Sequence, residues 1–323
     1  MHSAFENDPT VLLLGEDILD PYGGAFKVSK GLSTKYPERV FTTPIAENAI
    51  VGLGVGLALR GFRPIVEIMF GDFITIATDQ IINQAAKFEL MYAGKVSVPL
   101  VVRTPMGAGR GYGPTHSQSL EKLFLGIPNL SVVAPSLFHD PGEELQAAVR
   151  DSKPVVFIEN KILYPLLTTA TFGEFSVEYH RDAQGYSTAV VRNFSPDRKR
   201  PDATLITYGG LSRHIESLMQ KYSEEEIWIE AILPSCISAV DTEVISSAAR
   251  RSGRVVLAEE GMEGFGWTSG ISEMLYRNLF GQLKAPIATV ATASGVIPAS
   301  FEKEQEMIVN QKHLESALLE VLA

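Results

Sequence analysis

Short apolar runs alternate with helical patterns along the first half of this chain. Thr10–Leu14, Pro64–Phe70, Pro99–Pro105, Leu130–Pro135 and Pro154–Asn160 are rich in Val, Ile and Leu and read as strands, and the extended VFTTP run ending at Pro44 reads as a strand end. Their apolar positions are nearly continuous rather than alternating, which marks strands covered on both faces, as in a parallel sheet. Between them the spacing predicts a buried helix ending at Leu59, an amphipathic helix from Asp72 to about Tyr92, and another in EELQAAVRD at 143–151.

From about Glu174 to Asp202 the periodicity fades, and RNFSPDRKRPD gathers Arg192, Arg198, Lys199 and Arg200 near Pro196 and Pro201. A phosphate-binding basic run and a solvated linker both fit this composition; the prolines and the lack of a helical period favour the linker. A second series, ATLITY, IWIEAIL, RVVLAEE and PIATVA with helices between, begins at Ala203. The predicted class is α/β, with two doubly wound domains at 1–180 and 203–323, the second smaller, and a linker at 181–202.

Thr42–Leu59, TTPIAENAIVGLGVGLAL, carries the most information. Glu47 lies in the first turn of its predicted helix, where a carboxylate either complements the helix dipole or meets a ligand. Gly52, Gly54 and Gly56 each weaken a helix interior by roughly 1 kcal/mol relative to Ala. Their presence implies a close approach by another backbone or a flat ligand near Glu47.

Composition narrows the partners. With 45% hydrophobic and 20% charged residues in 323, the make-up is that of an ordinary soluble protein. A net charge of -10 argues against a counterion-displacing grip on nucleic acid. Cys236 has no second thiol to pair with in the chain, so a reducing, cytoplasmic setting is expected. No run approaches the roughly 18 to 20 apolar residues of a membrane span, and MHSAFENDP lacks the basic and apolar parts of a signal peptide.

No G-x-x-x-x-G-K-[ST] occurs, and no G-x-G-x-x-G lies between a strand and a helix. Gly107–Gly113, GAGRGYG, follows a strand and contains Arg110; it reads as an anion-wrapping loop or as a mobile surface loop. His116 comes next, in PTHSQS, with Ser117 or Ser119 placed to cap a helix. Open α/β sheets bind ligands at such strand ends, and an imidazole there exchanges protons near neutral pH. A loop histidine bonded to a backbone carbonyl is the plain alternative. His139, His180 and His214 lack such a neighbourhood, and no His, Cys or carboxylate set has metal-ligand spacing. Phe70 and Phe73, in MFGDF, either face a flat ring or pack in the core, and Asp72 between them is a candidate helix cap.

Taken in order, LLGEDILDPYGGAFKVSKGL, RVFTTPIAENAIVG, RPIVEIMFGDF, DQIINQAAKF, PLVVRTPMG, THSQSLE and PVVFIENKILY resemble the beta subunit of the thiamine-diphosphate-dependent decarboxylating component of 2-oxo acid dehydrogenases, pyruvate and branched-chain type. The resemblance runs from Leu12 through Leu163 and continues more weakly in TLITYGG and RVVLAEE. It implies a transketolase-like pyrimidine-binding domain, a transketolase C-terminal-like domain, and an alpha2-beta2 tetramer sharing thiamine diphosphate between chains. On that resemblance Glu47 bonds the ring nitrogen of the cofactor's aminopyrimidine and shares the proton that activates it. Phe73 and Ile45 contact that ring, Met69 stands beside it, and His116 helps to pass the acyl group to a lipoyl arm. The motif for diphosphate and magnesium, GDG with a distant asparagine, belongs to the alpha subunit; here Gly71-Asp72 runs into Phe73. A structural potassium would map to carbonyls around Val98, Leu100 and Val101 and to Ala148, Asp151 and Lys153.

The chain departs from the family at several points. Met69 replaces a common glutamine, Lys153 a common asparagine, and AILPSCISAVD an acidic-Leu-Arg-Thr run, which leaves the lipoyl acyltransferase core open as a partner. The segment before Asp8 is shorter than the family's N-terminal helix, as for a late start or one half of a fused parent. The expected activity is oxidative decarboxylation of a 2-oxo acid with acyl transfer to a lipoyl group, in assembly with an alpha chain. The alternatives are a two-subunit thiamine-dependent carboligase or transketolase-like enzyme of specialised metabolism, and a non-catalytic scaffold subunit of the same fold. Neither a nucleic acid nor a membrane is an expected partner.

Overall fold

In the computed structural model, which describes residues 1–168, 175–194 and 200–323, the apolar runs pair into two six-stranded sheets. β1 (Val11–Gly15), β2 (Val40–Thr42), β3 (Arg63–Glu67), β4 (Val101–Met106), β5 (Ser131–Val133) and β6 (Val155–Asn160) lie in the order β2-β1-β3-β4-β6-β5, every pair parallel. β1 and β4 are buried at every position, as strands covered on both faces must be. The chain leaves β1 for β2 on one side and then crosses to β3 on the other. The carboxyl ends of β1 and β3 therefore flank a switch point, the place where open sheets bind ligands.

A buried ion cluster fixes that edge of the sheet. Arg103 of β4, 1% exposed, donates to Glu67 at the end of β3 at 2.5 Å, and it also pairs with Glu159 of β6. Tyr164 donates its hydroxyl to Glu159 at 2.7 Å. Burial raises the Glu67 pKa above the ordinary carboxylate value, and the guanidinium opposes that rise.

The second sheet is mixed. β7 (Ser176–Arg181), β8 (Ser187–Arg192), β9 (Ala203–Ile206), β10 (Ile229–Pro234), β11 (Val255–Met262) and β12 (Ala288–Thr292) follow the order β12-β11-β9-β10-β8-β7, with β8 antiparallel to both neighbours. The stretch read from the sequence as a linker, 181–202, thus contains a strand of this sheet. Arg192 ends that strand, where its guanidinium meets buried Glu230 at 2.6 Å. Pro196, Arg198 and Lys199 lie outside the described residues, and Arg200 is exposed. β7 is a charged, mostly exposed edge strand, SVEYHR, and such an edge carries no apolar period.

The helix predicted over 72–92 is broken into three pieces. Gly71–Ala77 winds as a 3₁₀-helix, Gln80–Ala85 as a π-helix and Phe88–Met91 as an α-helix. Thr75 and Thr78 turn their hydroxyls onto the carbonyls of Asp72 and Thr75, at 2.9 and 2.7 Å. With Ile74 and Ile76 they form a β-branched run that resists a regular helix. Asp72 does not act as a cap; its carboxylate accepts from Gln118 Nε2 at 2.7 Å. After His116 only a short 3₁₀ turn, Glu121–Leu123, forms, with no capping side chain.

AILPSCISAVD forms part of the seam between the sheets. Ala134 N–H donates to Ser235 O at 2.7 Å and Ile237 N–H to Val132 O at 2.9 Å, which closes the edge of β5, with Cys236 buried between. The seam therefore sets how the two domains face each other.

The helix Glu47–Leu59 lies against β3 through Gly54, where a Cβ would come 2.7 Å from Val66 Cγ2 and 2.9 Å from Leu100 Cδ1. The close approach at this glycine is made by the chain's own sheet. Gly56 has nothing within 4 Å of such a Cβ and is exposed. Gly54→Ala is expected to destabilise the chain by about 1–3 kcal/mol through overpacking. Gly56→Ala should stabilise it by about 0.5–1 kcal/mol through helix propensity. Urea denaturation of the two variants checks both signs.

Candidate functional site

The loops leaving β1, β2, β3 and β4 place the candidate residues. Glu47 opens the helix that follows β2; it is 5% exposed, and among the described residues its carboxylate has no hydrogen-bond donor. The helix dipole favours a negative charge there and a ligand contact is equally available, so the two sequence readings are compatible. Glu16, one residue past β1, is also 5% exposed. Burial first, and then the charge of Glu47, raise its pKa above the ordinary carboxylate value. Its Oε1 is buried without a partner, as are Thr43 Oγ1 after β2 and Asp72 Oδ2 after β3. Buried polar atoms are nearly always satisfied, so orphans gathered at one set of strand ends mark where a polar group belongs.

An aromatic group stands beside them. The His116 ring meets Phe70 and Phe73 edge-on, with centroids 4.6 and 5.2 Å apart, and its Nδ1 lies 3.0 Å from the Thr115 hydroxyl. Phe26 and Tyr112 close on Phe70 at 5.6 and 6.2 Å. Met69 and Phe73 are half-buried, whereas Ile45 faces solvent, 78% exposed. Glu47, Met69, Phe73 and His116 thus share the carboxyl end of the first sheet, with Ile45 at its outer rim.

The glycine-rich loop is neither an empty anion cradle nor a free surface loop. Gly111 N–H donates to Glu304 at 2.8 Å, and Arg110 donates to Lys161 O at 2.6 Å while lying over the Phe26 ring. Gly107 has φ +93, and a Cβ there would lie 2.4 Å from Asn160 Nδ2, so the loop's entry requires glycine. Asn160 in turn donates to Glu260 of β11 at 2.6 Å, which joins the carboxyl ends of the two sheets.

Sequence reasoning missed Glu16 and Lys161. Glu16 has a readable signal, a carboxylate directly after an apolar strand. Lys161 follows β6 and is 1% exposed; its Nζ donates to His116 O at 2.8 Å, and burial pulls its pKa down to about 8. Only its position after a buried strand was visible.

The potassium candidates fall on adjoining segments. Val98, Leu100 and Val101 are buried at the entry to β4, Ala148 lies on the helix Pro141–Arg150, and Asp151 and Lys153 follow it. Leu100 O accepts from Val155 N–H at 2.8 Å, and Arg63 donates to Val149 O and Asp151 O at 2.5 and 3.2 Å.

Known proteins share this two-domain fold. The model of the transketolase pyrimidine-binding domain matches residues 1–166, and that of the transketolase C-terminal domain matches residues 193–314. The beta-1 subunit of the mitochondrial pyruvate dehydrogenase E1 component of Arabidopsis thaliana is 36% identical over 300 residues, 92% of this chain and 80% of that one. The chain belongs to the transketolase-like family of 2-oxo acid dehydrogenase beta subunits. The acetoin:2,6-dichlorophenolindophenol oxidoreductase beta subunit of Cupriavidus necator is 34% identical over 96% of this chain and 91% of that one. The 2-oxoisovalerate dehydrogenase beta subunit of Bacillus subtilis is 33% identical over 99% and 95%. A solved split-gene transketolase, an inactive beta4 tetramer, superimposes with a TM-score of 0.71 over 99% of this chain and 94% of its own at 19% identity, a likeness of fold.

The family implies thiamine diphosphate, and the unpaired Glu47 with its orphaned neighbours fits a polar heteroaromatic ring. Glu16 bears the energetic cost of that arrangement. Because folding raises its pKa, its ionisation opposes folding above the ordinary value of 4.5; below it both states are protonated and the opposition vanishes. Glu16→Gln is expected to stabilise the isolated chain at pH 7 by on the order of 1 kcal/mol, with a smaller gain at pH 4. Denaturation midpoints at the two pH values check it.

Proposed function

We propose that this chain is the beta half of a thiamine-diphosphate-dependent 2-oxo acid dehydrogenase, which decarboxylates a 2-oxo acid and passes the acyl group to a lipoyl arm within an alpha2-beta2 assembly. The observation that carries this reading is Glu47, a nearly buried carboxylate without a donor at the end of a parallel sheet. Glu47 would bond the ring nitrogen of the cofactor's aminopyrimidine, with Phe73 and Met69 beside the ring. Ile45, Leu53 and Ile76, which are 78%, 51% and 54% exposed in the single chain, would be covered by the alpha chain.

When bound, thiamine diphosphate supplies a nucleophilic carbon and a sink for the electrons left as carbon dioxide departs. Glu47 would orient the aminopyrimidine ring through a hydrogen bond at its carboxyl oxygen, where poor solvation strengthens the bond. Phe70 and Phe73 exclude water, and the His116 imidazole gives or takes a proton during acyl transfer. Magnesium belongs with the diphosphate on the alpha chain; among the described residues no cluster of three or more His, Cys, Asp or Glu is placed to hold a metal. Potassium on the carbonyls around Val98, Leu100 and Val101 and at Ala148, Asp151 and Lys153 is part of the same proposal. Those are hard oxygen donors, and the Arg63 guanidinium on Val149 O and Asp151 O would compete with the ion there. No helix among the described residues is long and apolar enough to cross a membrane, and we assign the assembly to the cytoplasm.

The names of the relatives set the assay panel of pyruvate, 2-oxoisovalerate and acetoin. Glu47→Gln is expected to lower kcat of the assembled pair by about 10²–10⁴-fold while size-exclusion chromatography shows assembly intact; near-normal turnover contradicts the assignment. His116→Ala should slow lipoyl acylation more than it slows decarboxylation read with an artificial electron acceptor, and equal losses count against the transfer role. Ketol products in place of acyl-lipoamide would place the pair among carboligases instead.

A further inference from the structure

We propose that Lys161 is the positioning residue for His116: its buried amine grips the backbone at His116, so that the imidazole is presented edge-on to Phe70 and Phe73. The proposal rests on the transfer role given to His116 above. It deepens that reading by adding a second residue to the same step.

Lys161 is itself firmly held. It is the first residue after β6, and its N–H donates to Met106 O at the end of β4 at 3.1 Å. From there both ends of the residue reach the segment that carries His116. Its carbonyl accepts from Arg110 at 2.6 Å, and its Nζ donates to His116 O at 2.8 Å. The segment's own backbone bonds are longer, 3.4 Å from Gly107 N–H to Gln118 O and 3.3 Å from His116 N–H to Gly113 O. Charged donors make the stronger bonds, by roughly a factor of two, so Lys161 outweighs the turn in fixing this backbone. Its Nζ also lies 5.6 Å from the centroid of Phe70, the ring that His116 meets at 4.6 Å. One amine thus touches the backbone of the histidine and the ring against which the imidazole rests.

The surroundings explain why this amine responds to pH. Asp72 faces it from the 3₁₀-helix, Glu260 from β11, and Glu304 from the helix Phe301–Met307; Arg110 faces it from the glycine-rich loop. Burial pulls its pKa down to about 8 against the pull of the three carboxylates. Above that pH the amine still donates a hydrogen bond, but without the charge that strengthens it.

The test reads the His116 imidazole by NMR in the isolated chain, with its signal assigned by its loss in His116→Ala. The wild-type resonance is expected to show an inflection near pH 8, where Lys161 loses its charge. That inflection should vanish in Lys161→Met and in Lys161→Arg, whose guanidinium stays charged. No such inflection in the wild type overturns the proposal without needing any variant to fold, and so does one that persists in Lys161→Met. In the assembled enzyme Lys161→Met should slow lipoyl acylation about tenfold, as expected for losing a charge-assisted bond, with Lys161→Arg recovering most of the rate. An unchanged rate in Lys161→Met also overturns it. If His116→Ala leaves acylation intact, the transfer role fails; the inflection still decides whether Lys161 holds His116.

Discussion

Arg103 is the interaction on which the site depends. One guanidinium, 1% exposed, joins the carboxyl ends of β3, β4 and β6 through Glu67 and Glu159. Those three strands deliver, in turn, Met69 and Phe70, the glycine-rich segment with His116, and Asn160 with Lys161. Two carboxylates depend on one buried cation, and removing it would leave them uncompensated, a loss that typically costs about 3–5 kcal/mol. Arg103 lies beneath the aromatic wall as well, since its Nη2 donates to the Tyr164 hydroxyl and the Tyr164 ring packs on Phe26 at 5.2 Å. The wall, the loop and the buried lysine inherit their positions from this one residue.

A second consequence follows from where the sheets end. Asn160 reaches Glu260, Gly111 reaches Glu304, and the Tyr208 hydroxyl donates to Glu121, so the carboxyl ends of both domains converge. At this seam Glu304 Oε1 alone of the named carboxylates stays buried without a partner, and the other side of the site holds more such atoms. There Glu16, Thr43 and Asp72 keep orphaned buried atoms beside unpaired Glu47. Each such atom opposes folding by about 1–3 kcal/mol. A chain that keeps them gives up stability at this end of the sheet, where the apolar side chains of Ile45 and Leu53 also stand exposed.

Much of the fold was legible in the sequence because buried parallel strands have little choice of composition. Every strand of the first sheet but the short β2, and β9 to β12 of the second, appear as apolar runs. β7 and β8 did not, since a charged hairpin such as SVEYHR followed by STAVVR shows its apolar side only after it has paired with β10. The helix over 72–92 failed for a local reason, the β-branched run with threonine hydroxyls bonded back onto carbonyls. At the site, types and order were legible: a carboxylate after a proline, a histidine after a glycine loop, phenylalanines at a strand end. The contacts that make them a site were not. Lys161 lies 45 residues from His116 in sequence, and nothing in its neighbours announces that it ends on that carbonyl.

The central claim is that this chain holds half of a thiamine site. Titration calorimetry tests it most directly, with thiamine diphosphate and magnesium added to this chain alone, to its alpha-type partner alone, and to the two together. The account predicts stoichiometric binding by the pair and none by this chain alone. Tight binding by this chain alone, or no binding by the assembled pair, would contradict it.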